Sequence, residues 1–286
     1  MLATVALALS GCSAHAGKDS PAQGHGPGQT ASGGATPSSH TKAAPTRPPR
    51  TAVQFVARAR QSLRGEKGWT FALIGSESVT LRGQAPTSAT YGGTVHRTTG
   101  TRALEQTGTT TTGKGERKRE LVYVVGGTGY VKRGVAAWKR GPLSDTGIAD
   151  TVEDPVADLD DFAAYARSAE VSRTGGGVRL RVTASGWQLS AARTRPALRR
   201  AVREAQPTLT QLRAAGVTAT EARITLRSFT ETWDLDAAHG YRPTAHRYAF
   251  TFLVPFQGGD ITMSQELRAT NRGVFTGTVT LPAAAR

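Results

Sequence analysis

The sequence predicts an α+β fold: an antiparallel meander of many strands with three helical segments set between them. Three observations carry this. Apolar and polar residues alternate over long runs near the C-terminus, as in Phe229-Thr230-Glu231-Thr232-Trp233 and Tyr248-Ala249-Phe250-Thr251-Phe252, and such runs joined by short turns read as antiparallel strands. Glycine clusters at 126–129, 175–177 and 258–259 punctuate them. Helical spacing of apolar residues occurs in only three places, beginning near Thr51, Asp150 and Thr194.

Before the body lies a different kind of sequence. Leu2 to Leu9 is an apolar run far shorter than the roughly 20 residues that span a bilayer, so it reads as the h-region of a signal peptide. Leu9-Ser10-Gly11-Cys12 closes it with the Leu-small-small-Cys pattern recognised by a lipoprotein signal peptidase, which makes Cys12 the lipidation site. No Lys or Arg precedes the run, although secretory signals carry a basic n-region, and this points to a translation start upstream of Met1. Cys12 is the single cysteine, which excludes an internal disulfide and Cys-rich metal sites. Residues 13–50 are rich in Ala, Gly, Pro, Ser and Thr without apolar periodicity, so they cannot bury enough surface to fold. As a flexible coil they would hold the body on the order of 30 to 35 Å from the anchor. The expected organisation is a signal peptide at 1–11, the lipidated cysteine and a disordered tether at 12–50, and a single domain at 51–286.

In the body, Thr51 caps a helix whose apolar face is Ala52, Phe55, Val56, Ala59 and Leu63, with Gly65 just beyond it. Strands follow around Trp69 to Leu73, Val79-Leu81, Thr94 to Arg97 and Arg102 to Thr112. Leu121 to Val125 and Tyr130-Val131 form a hairpin around the glycines, and Trp138-Lys139-Arg140 returns. A phosphate-cradling loop is disfavoured, because no helix pattern and no Gly-Lys-Ser/Thr follows. A helix is expected over 150–169, with Pro155 in its first turn and Leu159, Phe162, Ala163 and Ala166 on one face. The acids around its start favour the helix dipole more readily than a calcium loop, whose spacing they lack. Strands are read at Val171-Ser172, Val178 to Val182 and Trp187 to Leu189. A helix is read from Thr194 to Ala215, kinked or divided at Pro207. Strands fill the remainder up to Leu281, and a parity change near Ser228-Phe229 marks a bulge or a bend.

The formal charge is +15, and the tether holds only Lys18, Lys42, Arg47 and Arg50 against Asp19, so most of the excess belongs to the body. A basic surface attracts anionic headgroups, anionic wall polymers or nucleic acid; an exported, lipid-tethered protein meets the first two and not the third. The densest basic stretch supplies Arg195, Arg199, Arg200 and Arg203 as candidate anionic contacts.

Tyr130-Val131-Lys132 followed by Trp138-Lys139, then an acidic helix near Pro155, resembles the actinobacterial lipoproteins of the LppX and LprG type, which share the fold of the periplasmic lipoprotein carrier LolA. The resemblance covers nearly all of 51–286 in order of elements. It implies a strongly curved antiparallel sheet forming an incomplete barrel, helices packed on its concave side, and an apolar groove between them. It also implies a diacylglyceryl group on Cys12, with palmitate-type chains. The groove candidates on the sheet are Phe71, Leu73, Tyr123, Val125, Phe250 and Phe252, with Met263 and Leu267 beside them and Phe162, Leu198 and Leu209 opposite on the helices. All would serve an ordinary packed core equally well.

Two functions follow as expectations. One is a lipoprotein on the outer face of the cell membrane that binds or carries a lipid or other hydrophobic ligand. The other is an envelope lipoprotein with a solid core that binds a protein or anionic wall polymer through its basic surface. In either case the chain is expected to be a monomer without cofactor or metal. No catalytic residue is assigned: His96, His239 and His246 are dispersed, and no Gly-x-Ser-x-Gly or His-Glu-x-x-His occurs. A hydrolase built on scattered carboxylates is the one enzymatic reading left.

Overall fold

The computed structural model describes residues 48–285. The expected signal peptide with Leu9, Ser10 and Gly11, the lipidation site Cys12 and nearly all of the tether lie outside the described residues. Among the described residues, both apolar clusters are built from residues 52–285.

Helix α1 (Ala52–Arg64) begins at a capping box: Gln54 N–H donates to the Thr51 hydroxyl, and the Thr51 N–H donates to the Gln54 side chain. Its apolar face is buried as the spacing predicts. A meander follows, β1 (Gly68–Leu81), β2 (Thr87–Thr98), β3 (Leu104–Thr112), β4 (Arg117–Val125), β5 (Thr128–Arg133) and β6 (Lys139–Pro142). The β4–β5 turn is Gly126-Gly127 with both φ positive, 57° and 77°, which explains the glycine pair. Then come α2 (Thr146–Ala149), α3 (Pro155–Ala163), β7 (Glu170–Thr174), β8 (Gly177–Ala184), β9 (Trp187–Gln188), α4 (Leu189–Ala192) and α5 (Arg199–Ala214). Three long strands close the body, β10 (Thr225–Asp236), β11 (Arg242–Phe256) and β12 (Gly259–Val274).

All strands join one antiparallel sheet of twelve, in the order β6-β5-β4-β3-β2-β1-β12-β11-β10-β8-β7, with β9 paired to β10 off this path. The long β1–β12 ladder, from Trp69↔Val274 to Leu81↔Ile261, fuses the meander of the first half to that of the second. Neither β6 nor β7 closes the ring, so the sheet is open, and an open sheet this wide must curl. The helices lie on its inner face. The parity change near Ser228 is a register shift between Leu226 and Ser228, as the sequence indicates.

Four expectations are corrected. Of the helix expected over 150–169, only Pro155–Ala163 forms α3; Ala166–Ser168 is a short 3-10 turn, and Asp154 caps α3, its carboxylate accepting from the N–H groups of Val156 and Ala157. A residue before proline is pushed out of the helical region, and the aspartate then satisfies the free donors. The segment from Thr194 opens with a short 3-10 turn at Pro196–Leu198, and α5 runs through Pro207 undivided, held by Val202, Ala205, Leu209 and Leu212 buried on either side. Leu189 starts α4 and does not extend a strand. Beyond Val274 the chain leaves the sheet after Gly273, which takes a φ of 113°. Phe275, Val279, Leu281 and Ala285 then pack with Tyr123 and Tyr130 as a second apolar cluster.

Candidate functional site

Much of the inner face of the sheet is apolar. Phe71, Leu73, Phe250, Phe252 and Met263 lie in the main core together with the helix residues Phe162, Leu198 and Leu209, and Leu267 is buried on the same parity of β12. Tyr123 and Val125 do not join them. They belong to the second cluster, and the residues of β4 that face the main core are Val122 and Val124. The groove candidates are therefore brought together except for these two, which lie one residue out of phase.

What the apolar reading missed is a polar seam between sheet and helices. Arg97 of β2 donates from Nε to Asp154 at 2.6 Å. Gln106 of β3 donates to the Thr151 carbonyl and to the Tyr91 hydroxyl, and accepts the Glu153 N–H at 2.9 Å. At its centre Arg200 of α5 donates to Glu204 at 2.6 Å, Asp158 at 3.0 Å and Glu153 at 3.2 Å, while its guanidinium lies 4.3 Å from the Tyr248 ring centre. Gln265 of β12 donates to Glu204, Tyr165 donates to Glu231, and Trp233 donates to Glu231. His246 stacks on Trp233 at 4.0 Å, its Nε2 3.0 Å from Glu231 and its Nδ1 3.5 Å from Asp158.

The sheet makes room for this layer with glycine. Tyr91 reaches Gln106 by laying its ring over β2 and β3, where a Cβ at Gly108 would stand 2.2 Å from the phenol oxygen and one at Gly93 2.8 Å. Only hydrogen fits beneath it. Burial pushes several acids of the seam up. Glu77 rises to about 7, through burial first and the charge of Glu204 second, with Arg133 opposing. Glu120 is raised by burial against the pull of Arg133, and Glu153 and Glu204 are raised by burial against that of Arg200.

Two narrow cavities open along the seam, each of about 10 Å3. Tyr91, Glu120, Glu153 and Leu267 are among the residues lining one, and Glu77, Glu204, Phe250 and Met263 among those lining the other. Each has the size of about one water. Phe71, Leu73, Phe162, Leu198, Leu209 and Phe252, expected to line a groove, are buried in the main core between sheet and helices. Among the described residues, no group of three or more His, Cys, Asp or Glu is arranged to hold a metal ion.

The arginines expected to contact anions separate on folding. Arg200 is the buried hub just described. Arg203 pairs with Asp150 at 3.4 Å, and Arg195 stacks on Trp187 at 3.2 Å from the ring centre. Arg199 is exposed and forms no ion pair among the described residues. No helix is long and apolar enough to cross a membrane among those residues.

No family model matches the sequence, and no curated protein matches it. Solved structures do resemble the chain in broad outline. The Mycobacterium tuberculosis lipoprotein LppX is 9% identical over 80% of this chain and 97% of its own, with a TM-score of 0.35. A putative outer membrane lipoprotein-sorting protein domain from Vibrio parahaemolyticus is 11% identical over 80% and 95%, with a TM-score of 0.29. A LolA superfamily protein from Nitrosomonas europaea is 8% identical over 79% and 96%, with a TM-score of 0.23. Likeness at this level carries nothing about ligand or partner.

Proposed function

We propose that the chain is an exported lipoprotein, anchored through Cys12 to the outer face of the cell membrane, that holds an acyl-chain-bearing ligand between its sheet and its helices. The observation that supports this reading most directly is the composition of that interface. A broad aromatic and aliphatic sheet face is covered by helices tied down through ionisable contacts, and buried ion pairs contribute little net stability compared with apolar packing. Such a layer lifts more readily than an interdigitated one. With cavities of about 10 Å3 the structure is the closed form, and an acyl chain enters only as α3 and α5 move away from β11 and β12.

The test is binding of a fluorescent fatty acid to the body from residue 48 onward. Leu267→Trp is expected to abolish that binding by filling the space beside Tyr91, at a cost of roughly 1 to 3 kcal/mol for overpacking. A parent that takes up no probe and carries no extractable lipid from its native envelope would sink the ligand reading in favour of a solid body acting through its surface. The anchor is checked separately. Cys12→Ala should make the full chain extractable from the membrane fraction by a high-salt wash, whereas attachment by two acyl chains survives such a wash. Retention of the variant through the wash would overturn it.

A further inference from the structure

At the β6 edge of the sheet, the turn between β5 and β6 projects an apolar tip from a basic corner. Gly134 takes a φ of 57° and donates to the Arg119 carbonyl at 2.7 Å, which ties the turn beside the start of β4. Val135 behind it is 104% exposed, more than in an extended chain, and Ala136 and Ala137 are exposed as well. Trp138 is anchored, 6.0 Å from Tyr123 and beneath the Lys132 ammonium. The turn is thus held at its base and bare at its tip.

The strand ends around it are strongly basic. β4 begins with Arg117, Lys118 and Arg119, β5 ends with Lys132 and Arg133, β6 opens with Lys139 and Arg140, and Lys114 sits in the adjacent β3–β4 turn. Antiparallel pairing brings these ends to one corner, with Glu120 opposite Arg133 and Tyr130 opposite Arg140. Carboxylates answer only two of them: Arg133 is held by Glu120, and Lys139 lies 3.7 Å from Asp145. Arg117, Lys118, Arg119, Lys132 and Arg140 form no ion pair among the described residues, and exposed Glu116 is the one other acid in the turn.

We infer that this corner docks the body onto an anionic lipid bilayer, with Val135 and Ala136 entering the headgroup layer and the surrounding cations engaging lipid phosphates. A polyanion would account for the charge but would give a bare valine nothing to gain. A bilayer offers both an apolar layer and a charged one, and Lys, Arg and Trp belong at the boundary between them. The inference stands independently of the ligand reading, since it requires no space inside the core. It also moves the anionic contact away from Arg195, Arg199, Arg200 and Arg203.

The experiment is sedimentation of the body from residue 48 onward, which lacks Cys12, with phosphatidylglycerol–phosphatidylcholine vesicles and with pure phosphatidylcholine vesicles. The parent should bind the anionic vesicles and weaken as salt rises. Arg117→Gln, Lys118→Gln and Arg119→Gln together should weaken binding about a hundredfold, at about a fivefold factor per cation lost from the surface. The pair Val135→Asp and Ala136→Asp should weaken it about tenfold or more. These side chains are exposed, so thermal melting should not change, and Arg199→Gln serves as a control that binds as the parent does. A parent that ignores anionic vesicles overturns the inference. So does a tip variant that binds like the parent while the charge variant fails, which would assign the corner to a soluble polyanion.

Discussion

Arg200→Leu should destabilise the body by about 3 to 5 kcal/mol, the loss expected when one partner of a buried charge cluster is removed and the others are stranded. Glu204 has no exposed side-chain surface and Asp158 only 5%, so neither can turn to water once the guanidinium is gone. Arg200→Lys should rescue little. One ammonium cannot reproduce the fork that reaches Glu204, Asp158 and Glu153 at once while lying flat on Tyr248. Pairing Arg200→Leu with Glu204→Leu should return part of the stability, because that change removes one stranded charge. Urea denaturation at neutral pH reads all three variants. A loss below about 1 kcal/mol for Arg200→Leu would show that the acids find other partners, and the picture of a hub would fail.

Arg200 also shows where sequence reading stops. Arg193, Arg195, Arg199, Arg200 and Arg203 form a dense basic run, and nothing in composition distinguishes a solvated arginine from one that reaches inward along its methylene stem. The distinguishing partners, Glu153 and Asp158, lie more than 40 residues away in sequence. By contrast, the helix at 52–64, the two-glycine hairpin and the bulge before Phe229 were legible, since each rests on local chemistry: a cap, positive φ and strand parity. β4 failed for a local reason as well. Leu121 to Val125 is apolar throughout, so alternation cannot say which face is inward, and both faces prove to be covered, one by the core and the other by the segment after Phe275. The one cue was Glu120. Read as an inward residue in phase with Val122 and Val124, it would have set the strand correctly and exposed the seam. Glu77 and Glu231 offered the same cue, each in phase with apolar neighbours such as Leu73 and Trp233.

Glu77→Gln should change how stability depends on pH more than it changes the fold. Glu77 is 6% exposed, and its Oε1 has no hydrogen-bond partner. It sits on β1 between Ala89 of β2 and Gln265 of β12, with Glu204 on the helix side and Arg133 as the opposing charge. Its carboxyl is raised by burial from 4.5 to about 7, so between these values the folded chain holds a proton that the unfolded chain has released. Stability from this group is therefore fully present below about pH 4.5 and is lost as pH rises through 7, a loss of about 3 kcal/mol once the group is ionised in both states. Glu120, Glu153 and Glu204, also raised, act in the same direction. The parent should lose stability from pH 5 to pH 8, against the usual acid-labile trend. The glutamine variant cannot ionise, so it should match the parent near pH 4.5 and exceed it by up to about 3 kcal/mol at pH 8. Denaturation midpoints across that range decide the matter, since parallel pH profiles for parent and variant would mean that Glu77 keeps its ordinary ionisation in the folded protein. A steeper loss in the parent would mean that neutral pH loads charge into the seam between sheet and helices, where the proposed carrier has to open.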